Sequence, residues 1–140
     1  MSSCSPLSLI SACILLISAT LLQAAQGYPS ALSVSFLVLG VTSVVHHSRL
    51  DTWWKWDAWR ALDYVGTACF AIVATFYHAG SKVWISNCLF AVVVTTLIWT
   101  EYVPYNFVPA LHACMHIAVT LCTTYLLVND FSGETKNEER

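Results

Sequence analysis

Charged residues are scarce in this chain: they make up 10% of its 140 residues, whereas about a quarter of a typical soluble domain is charged. There is no basic patch, which argues against nucleic acid as a partner. The six cysteines include no CxxC pair and indicate no disulfide framework. Apolar residues, in contrast, make up 57% of the chain. It is therefore predicted to be an integral membrane protein of one domain.

Five apolar runs, separated by short polar or turn-forming stretches, are long enough to cross a bilayer as helices. We predict an all-α, polytopic transmembrane helix bundle, that is, a multi-pass membrane protein. The helices are expected near residues 7–25, 31–48, 61–79, 83–100 and 105–128. They form a single domain over residues 1–128, followed by a polar tail, 129–140, that is predicted to be disordered. Short connections make neighbouring helices antiparallel.

The first apolar run, residues 7–25, has two interpretations. The QAAQG sequence at its end resembles the small-residue cleavage site of a signal peptide. However, the residues before the run include no Lys or Arg, and a signal peptide begins with a positively charged segment. The missing charge favours a transmembrane helix.

Two other features are predicted to lie at the membrane surface. Residues 49–60 read RLDTWWKWDAWR, and alternating tryptophans and charges are typical of a segment at headgroup level. We call the membrane side that carries this segment side A. His78 lies at the far end of the third run, about 22 Å from Asp63 along a helix of 1.5 Å rise per residue, and is predicted to be interfacial.

Histidines inside the last apolar run provide the main functional signal. His112 and His116 are four residues apart in a run, 105–128, that contains no Lys, Arg, Asp or Glu. On a helix this spacing puts both imidazoles on one face, where they can be two ligands of one metal ion. Intramembrane histidines are by default a functional-site hypothesis. The alternative is that both rings form hydrogen bonds with neighbouring helices.

Helix direction brings further polar residues to the same depth as this pair. The second helix ends at side A, whereas the third and fifth helices begin there. Ser43, His47 and Asp63 are therefore predicted to lie in the same half of the bilayer as His112 and His116. The last two would be roughly 10 and 16 Å from side A, at 1.5 Å rise per residue.

Three imidazoles, a carboxylate and a hydroxyl form a chemically coherent set. Three neutral histidines are a known catalytic zinc set that leaves a fourth position for water, whose pKa zinc lowers to about 7. A carboxylate can orient that water, accept its proton or hold a ligand imidazole, and a serine hydroxyl can donate to a developing oxyanion. The set suits metal-assisted hydrolysis of an amide or ester.

The ordered set resembles the signature of the CREST superfamily of membrane proteins. This superfamily includes alkaline ceramidases, the progestin and adiponectin receptors, and the Per1 family of GPI-anchor lipid remodelling factors. Its signature is Ser-x3-His in one helix, Asp at the start of the next, and His-x3-His in the last. The corresponding residues here are Ser43, His47, Asp63, His112 and His116.

The resemblance implies a function and a role for each of these residues. Members of the superfamily hydrolyse, or are thought to hydrolyse, amide or ester bonds of membrane lipids with zinc held by three histidines. If the roles in the superfamily apply to the matching residues here, the zinc ligands are His47, His112 and His116. Asp63 and Ser43 then act on the water and the oxyanion. The chain is then an intramembrane, ceramidase-like zinc hydrolase whose partners are the bilayer and a lipid substrate.

Two aspects of the resemblance, which covers roughly residues 31–128, leave alternatives open. Thr42-x3-His46 has a similar shape, so His46 is an alternative ligand to His47. The superfamily typically has seven helices, with three between the Asp helix and the last, whereas only one fits here. Because the difference is an even number of helices, the last helix still begins at side A. The chain is then a fragment, a pseudoenzyme, or a homo-oligomer subunit that closes its pocket by dimerising.

Two further functions compete with hydrolysis. One is a non-catalytic membrane scaffold or receptor-like protein that keeps zinc for structure, which the missing helices favour. The other is a b-type cytochrome, because histidines on facing helices can be axial ligands of haem. Three histidines with an Asp and a Ser at one depth fit zinc better than a two-histidine haem site.

Overall fold

The computed structural model describes residues 6–26, 30–48 and 58–138 of the chain. Within these ranges there are helices and no strand, in agreement with the predicted all-α class. The five α-helices are α1 Pro6–Gln26, α2 Ala31–Ser48, α3 Ala58–His78, α4 Lys82–Trp99 and α5 Val108–Glu138, and a short 3-10 helix, Tyr105–Phe107, leads into α5. Most of the predicted interfacial segment 49–60, namely residues 49–57, lies outside the described residues.

Four of the helices are long and apolar enough to cross a membrane: α1, α2, α4 and the part of α5 up to Asn129. This is consistent with a multi-pass membrane protein. Helix α3 is as long as α1 but less apolar, because it includes Asp63 near its start and His78 at its end. Large apolar side chains point outward from the bundle, among them Ile17, Ile72 and Val92, as lipid-facing residues do.

The last helix differs from its predicted extent. Helix α5 runs on to Glu138, so that the backbone of residues 129–138, predicted to be disordered, is helical. The prediction rested on the polar composition of this segment. Polarity ends a membrane span but not a helix, since Glu and Lys are good helix formers.

The helices pack side by side in the order α3, α2, α1, α5 and α4. The gap between α3 and α4 is closed by Trp84, whose ring meets Phe70 edge-on at 5.9 Å between centroids. The Trp84 indole Nε1 also donates to Thr75 Oγ1 at 3.1 Å, so its polar group is satisfied within the protein. Helix α4 is the most peripheral span, with 11% of its residues buried against 39% in α2.

The apolar core fills the bundle from its middle to the end opposite side A. Phe36 of α2 and Phe70 of α3 are its largest fully buried side chains, and their rings lie 5.4 Å apart. Leucines from α1, α2 and α5 surround them. The end of the bundle at which α1, α3 and α5 begin is left for polar groups.

Helices α1 and α2 approach each other closely at Gly40. A Cβ atom at this position would lie 2.9 Å from Leu16 Cα and 3.1 Å from Leu15 Cδ2. The first of these is a backbone atom, so a side chain could be accommodated only if one helix moved. Small residues at such crossings allow membrane helices to pack tightly.

We expect Gly40→Ala to destabilise the bundle by about 1–3 kcal/mol, the usual cost of adding atoms to a packed interface. The measurement is the midpoint of thermal unfolding in detergent. Gly80→Ala is the matched control, because a Cβ at Gly80 meets no atom within 4 Å. Equal midpoints for the two variants would contradict the close packing of α1 on α2.

Candidate metal centre

Three histidines from two helices meet at the side A end of the bundle. His47 lies in the last turn of α2, and His112 and His116 lie one turn apart near the start of α5. The two helices run in opposite directions, so the end of one lies beside the beginning of the other. His47 and His116 are buried, at 3% and 9% exposure, whereas His112 is half-buried.

The three rings are mutually close. One ring nitrogen from each histidine lies within 4.8 Å of the other two. The Nε2 atoms of His47 and His112 are 3.1 Å apart. The ring centroid of His116 lies 5.2 Å from that of His47 and 4.7 Å from that of His112. The three side chains thus form a compact triangle.

This triangle fits a metal ion. Zn–N bonds of about 2.0–2.1 Å in a tetrahedral site put two nitrogen ligands about 3.3 Å apart. The 3.1 Å separation of the His47 and His112 Nε2 atoms is close to that value. Three neutral imidazoles also form a donor set that transition metals accept. The buried group His47, His112 and His116 could therefore bind a metal ion.

Asp63 lies beside the triangle and is held by α2. Ser43 Oγ donates to Asp63 Oδ1 at 2.6 Å, and Thr42 Oγ1 makes a longer contact of 3.5 Å with the same oxygen. Ser43 is almost completely buried, at 1% exposure. The resemblance implied that Asp63 and Ser43 act on a water and an oxyanion. In the structure, the hydroxyl proton of Ser43 is directed at the carboxylate, so Ser43 orients Asp63.

Of the two neighbouring histidines of α2, His47 belongs to two groups of possible metal ligands and His46 to one. His47 joins the α5 pair, whereas His46 forms a second close set with His47 and Asp63, again within 4.8 Å. The His46 ring packs against that of His47 at 4.8 Å between centroids. The geometry therefore favours His47 over His46 as the partner of His112 and His116.

Ser11 of α1 contacts the triangle and was not predicted. Its Oγ lies 3.0 Å from His116 Nδ1, and both side chains are buried. Its depth is predictable from the sequence in the same way as that of Ser43 and Asp63, because α1 also begins at side A. Ser11 lies five residues beyond Pro6, or about 8 Å along the helix.

His78 is the last residue of α3, at the end opposite Asp63, and its side chain is buried, at 8% exposure. Its prediction as interfacial concerned its depth along the helix, whereas the burial of its side chain was not predicted. Position along a helix predicts the depth of a residue and says nothing about which face of the helix the side chain occupies. His78 is at the opposite end of α3 from Asp63 and is not a member of either histidine group.

The centre thus combines a three-histidine group that could bind a metal, a carboxylate held by a serine, and a second serine behind one histidine. All of these groups lie on helices, which hold side chains more rigidly than loops do. No protein-family model, curated protein or solved structure matches this chain.

Proposed function

We propose that this chain is an intramembrane zinc-dependent hydrolase of a lipid amide or ester bond, ceramidase-like and related to the CREST superfamily. The observation that supports this most is the buried group of His47, His112 and His116, with ligand nitrogens within 4.8 Å of one another. Zinc bound by three histidines leaves one position for water and makes that water ionise near neutral pH.

The residues around the triangle have distinct tasks in this proposal. The three imidazoles hold the metal. Asp63, oriented by Ser43 at 2.6 Å and grouped with His47, accepts a proton as a general base. Because Ser43 is buried and already donates to Asp63, it acts through the carboxylate.

The depth of the centre supports a lipid substrate. His112 and His116 lie four and eight residues beyond Val108, the first residue of α5, or about 6 and 12 Å along the helix. The amide and ester bonds of membrane lipids lie between the headgroups and the acyl chains, at the edge of a hydrocarbon core about 30 Å thick. A centre in the side A half of the spanning helices is compatible with a substrate whose reactive bond lies near that edge.

The histidine contacts also bear on the competing functions. Haem requires a porphyrin plane between two axial nitrogens. The His47 and His112 Nε2 atoms are in direct contact at 3.1 Å, which leaves no room for that plane between them. A non-catalytic zinc scaffold would have the same triangle, and the function of Asp63 separates it from a hydrolase.

The direct test is to purify the protein in detergent, measure its metal content and assay a panel of ceramides and phospholipids. We expect one zinc per chain and cleavage of at least one lipid class, lost on treatment with a chelator and restored by zinc. Zinc without cleavage of any lipid would favour the scaffold. A Soret band in the visible spectrum would identify a cytochrome.

A further inference from the structure

Ser11 makes two contacts with its single hydroxyl group. Its Oγ lies 2.9 Å from the carbonyl oxygen of Ser8, one turn earlier in α1, and 3.0 Å from Nδ1 of His116 in α5. Ser11 and His116 are buried, at 2% and 9% exposure, so water does not readily replace either partner. Both contacts must therefore be satisfied within the protein.

The direction of the second contact follows from the hydrogen bond that Ser11 Oγ donates to the Ser8 carbonyl. A serine hydroxyl has one proton and two lone pairs, and a backbone carbonyl can only accept. The bond to Ser8 therefore uses the one proton of Ser11. The contact with His116 is then a hydrogen bond only if Nδ1 of the imidazole donates to Ser11 Oγ.

The donating nitrogen fixes the tautomer of the ring. A neutral imidazole that has its proton on Nδ1 has a lone pair on Nε2. Nδ1 is occupied by α1, so Nε2 is the nitrogen of His116 that is left for a metal. Metal-ligating histidines commonly donate their second ring nitrogen in this way, which fixes both tautomer and ring orientation.

We propose that Ser11 is a positioning residue for the metal centre, which holds His116 in the tautomer that presents Nε2 to the metal. This inference rests on the proposed metal-binding function of the three histidines. It makes α1 part of the centre, although α1 contains no metal ligand. The resemblance began near residue 31 and implied no function for this helix.

The first measurement is zinc affinity, determined by competition with a chelator. Ser11→Ala is expected to bind zinc about 10–100-fold more weakly, the usual effect of removing such an outer partner. Ser8→Ala is the matched control: it removes a buried hydroxyl from the same helix and leaves the carbonyl that accepts from Ser11. It should bind zinc as the wild type does.

The second measurement separates positioning from packing and needs no bound metal. In metal-free protein labelled with ¹⁵N-histidine, the nitrogen chemical shifts report the tautomer of each ring, and His116→Ala assigns the relevant signals. The wild type should show His116 with its proton on Nδ1, whereas Ser11→Ala should show a mixture of tautomers. Circular dichroism establishes that the variants retain their helices.

Several results would overturn the proposal. These are an unchanged zinc affinity in Ser11→Ala, an equal loss in Ser8→Ala, or a wild-type His116 with its proton on Nε2. The wild-type spectrum alone provides the last test, so a variant that unfolds does not prevent it. A wild type that binds no zinc would instead refute the proposed function and leave the tautomer result intact.

Discussion

Replacing His112 or His116 by alanine is expected to remove the bound zinc, from about one ion per chain to none after desalting. Each substitution leaves two imidazoles where a three-histidine site needs three. Two imidazoles hold zinc much more weakly than three, so the ion is expected to be lost on desalting. The measurement is elemental analysis of the purified variants. We expect His47→Ala to behave in the same way.

Two histidine variants serve as controls in this experiment. His78→Ala removes an imidazole from the far end of α3, and His46→Ala removes the neighbour of His47 that groups with Asp63. Both should keep zinc. If His46→Ala loses zinc and His78→Ala keeps it, His46 is the third ligand in place of His47. Equal loss from every histidine variant would show that the metal depends on the fold and has no specific site.

Changing Asp63 to Asn should keep zinc while lowering turnover by about 10²–10⁴-fold, the range for losing a general base. Three histidines leave one open position, and hydrolysis requires that a water occupies it. Asp63 forms its close set with His46 and His47, not with the full triangle, and Ser43 holds it there. Asn preserves the shape of the side chain but cannot accept the proton.

The experiment measures bound zinc and lipid hydrolysis in parallel. Glu101→Gln is the matched control, because it makes the same chemical change at an exposed residue beyond the end of α4. It should leave both quantities unchanged. Loss of zinc in Asp63→Asn would place Asp63 among the metal ligands. Unchanged turnover with zinc retained would show that another group accepts the proton.

The fold class and the approach of the histidines were predictable because each depends on simple periodic quantities. Uninterrupted apolar runs define the helices, and alternating helix direction brings the end of α2 beside the start of α5. The four-residue spacing of His112 and His116 then places both rings on one face. These arguments require only the rise per residue and the number of crossings.

The details that were not predicted depend on how each helix is rotated about its own axis and on which side chains meet across the helix interfaces. The resemblance implied that Ser43 acts on an oxyanion, which stays a prediction, and only the packing of α2 on α3 shows that Ser43 donates to Asp63. Ser11 escaped because serine is common in apolar helices and its partner lies 105 residues away. The burial of His78 likewise depends on which face of α3 meets the other helices.

The contact between Ser11 and His116 joins the first helix to the last, and this has a consequence for biogenesis. The chain is synthesised from its N-terminus, so α1 exists before α5 has been translated. During that interval the Ser11 hydroxyl lacks the imidazole with which it is paired in the finished bundle. The three-histidine group can form only after α5, which carries His112 and His116, is inserted beside α2. A loaded metal ion would therefore mark a chain whose membrane assembly is complete.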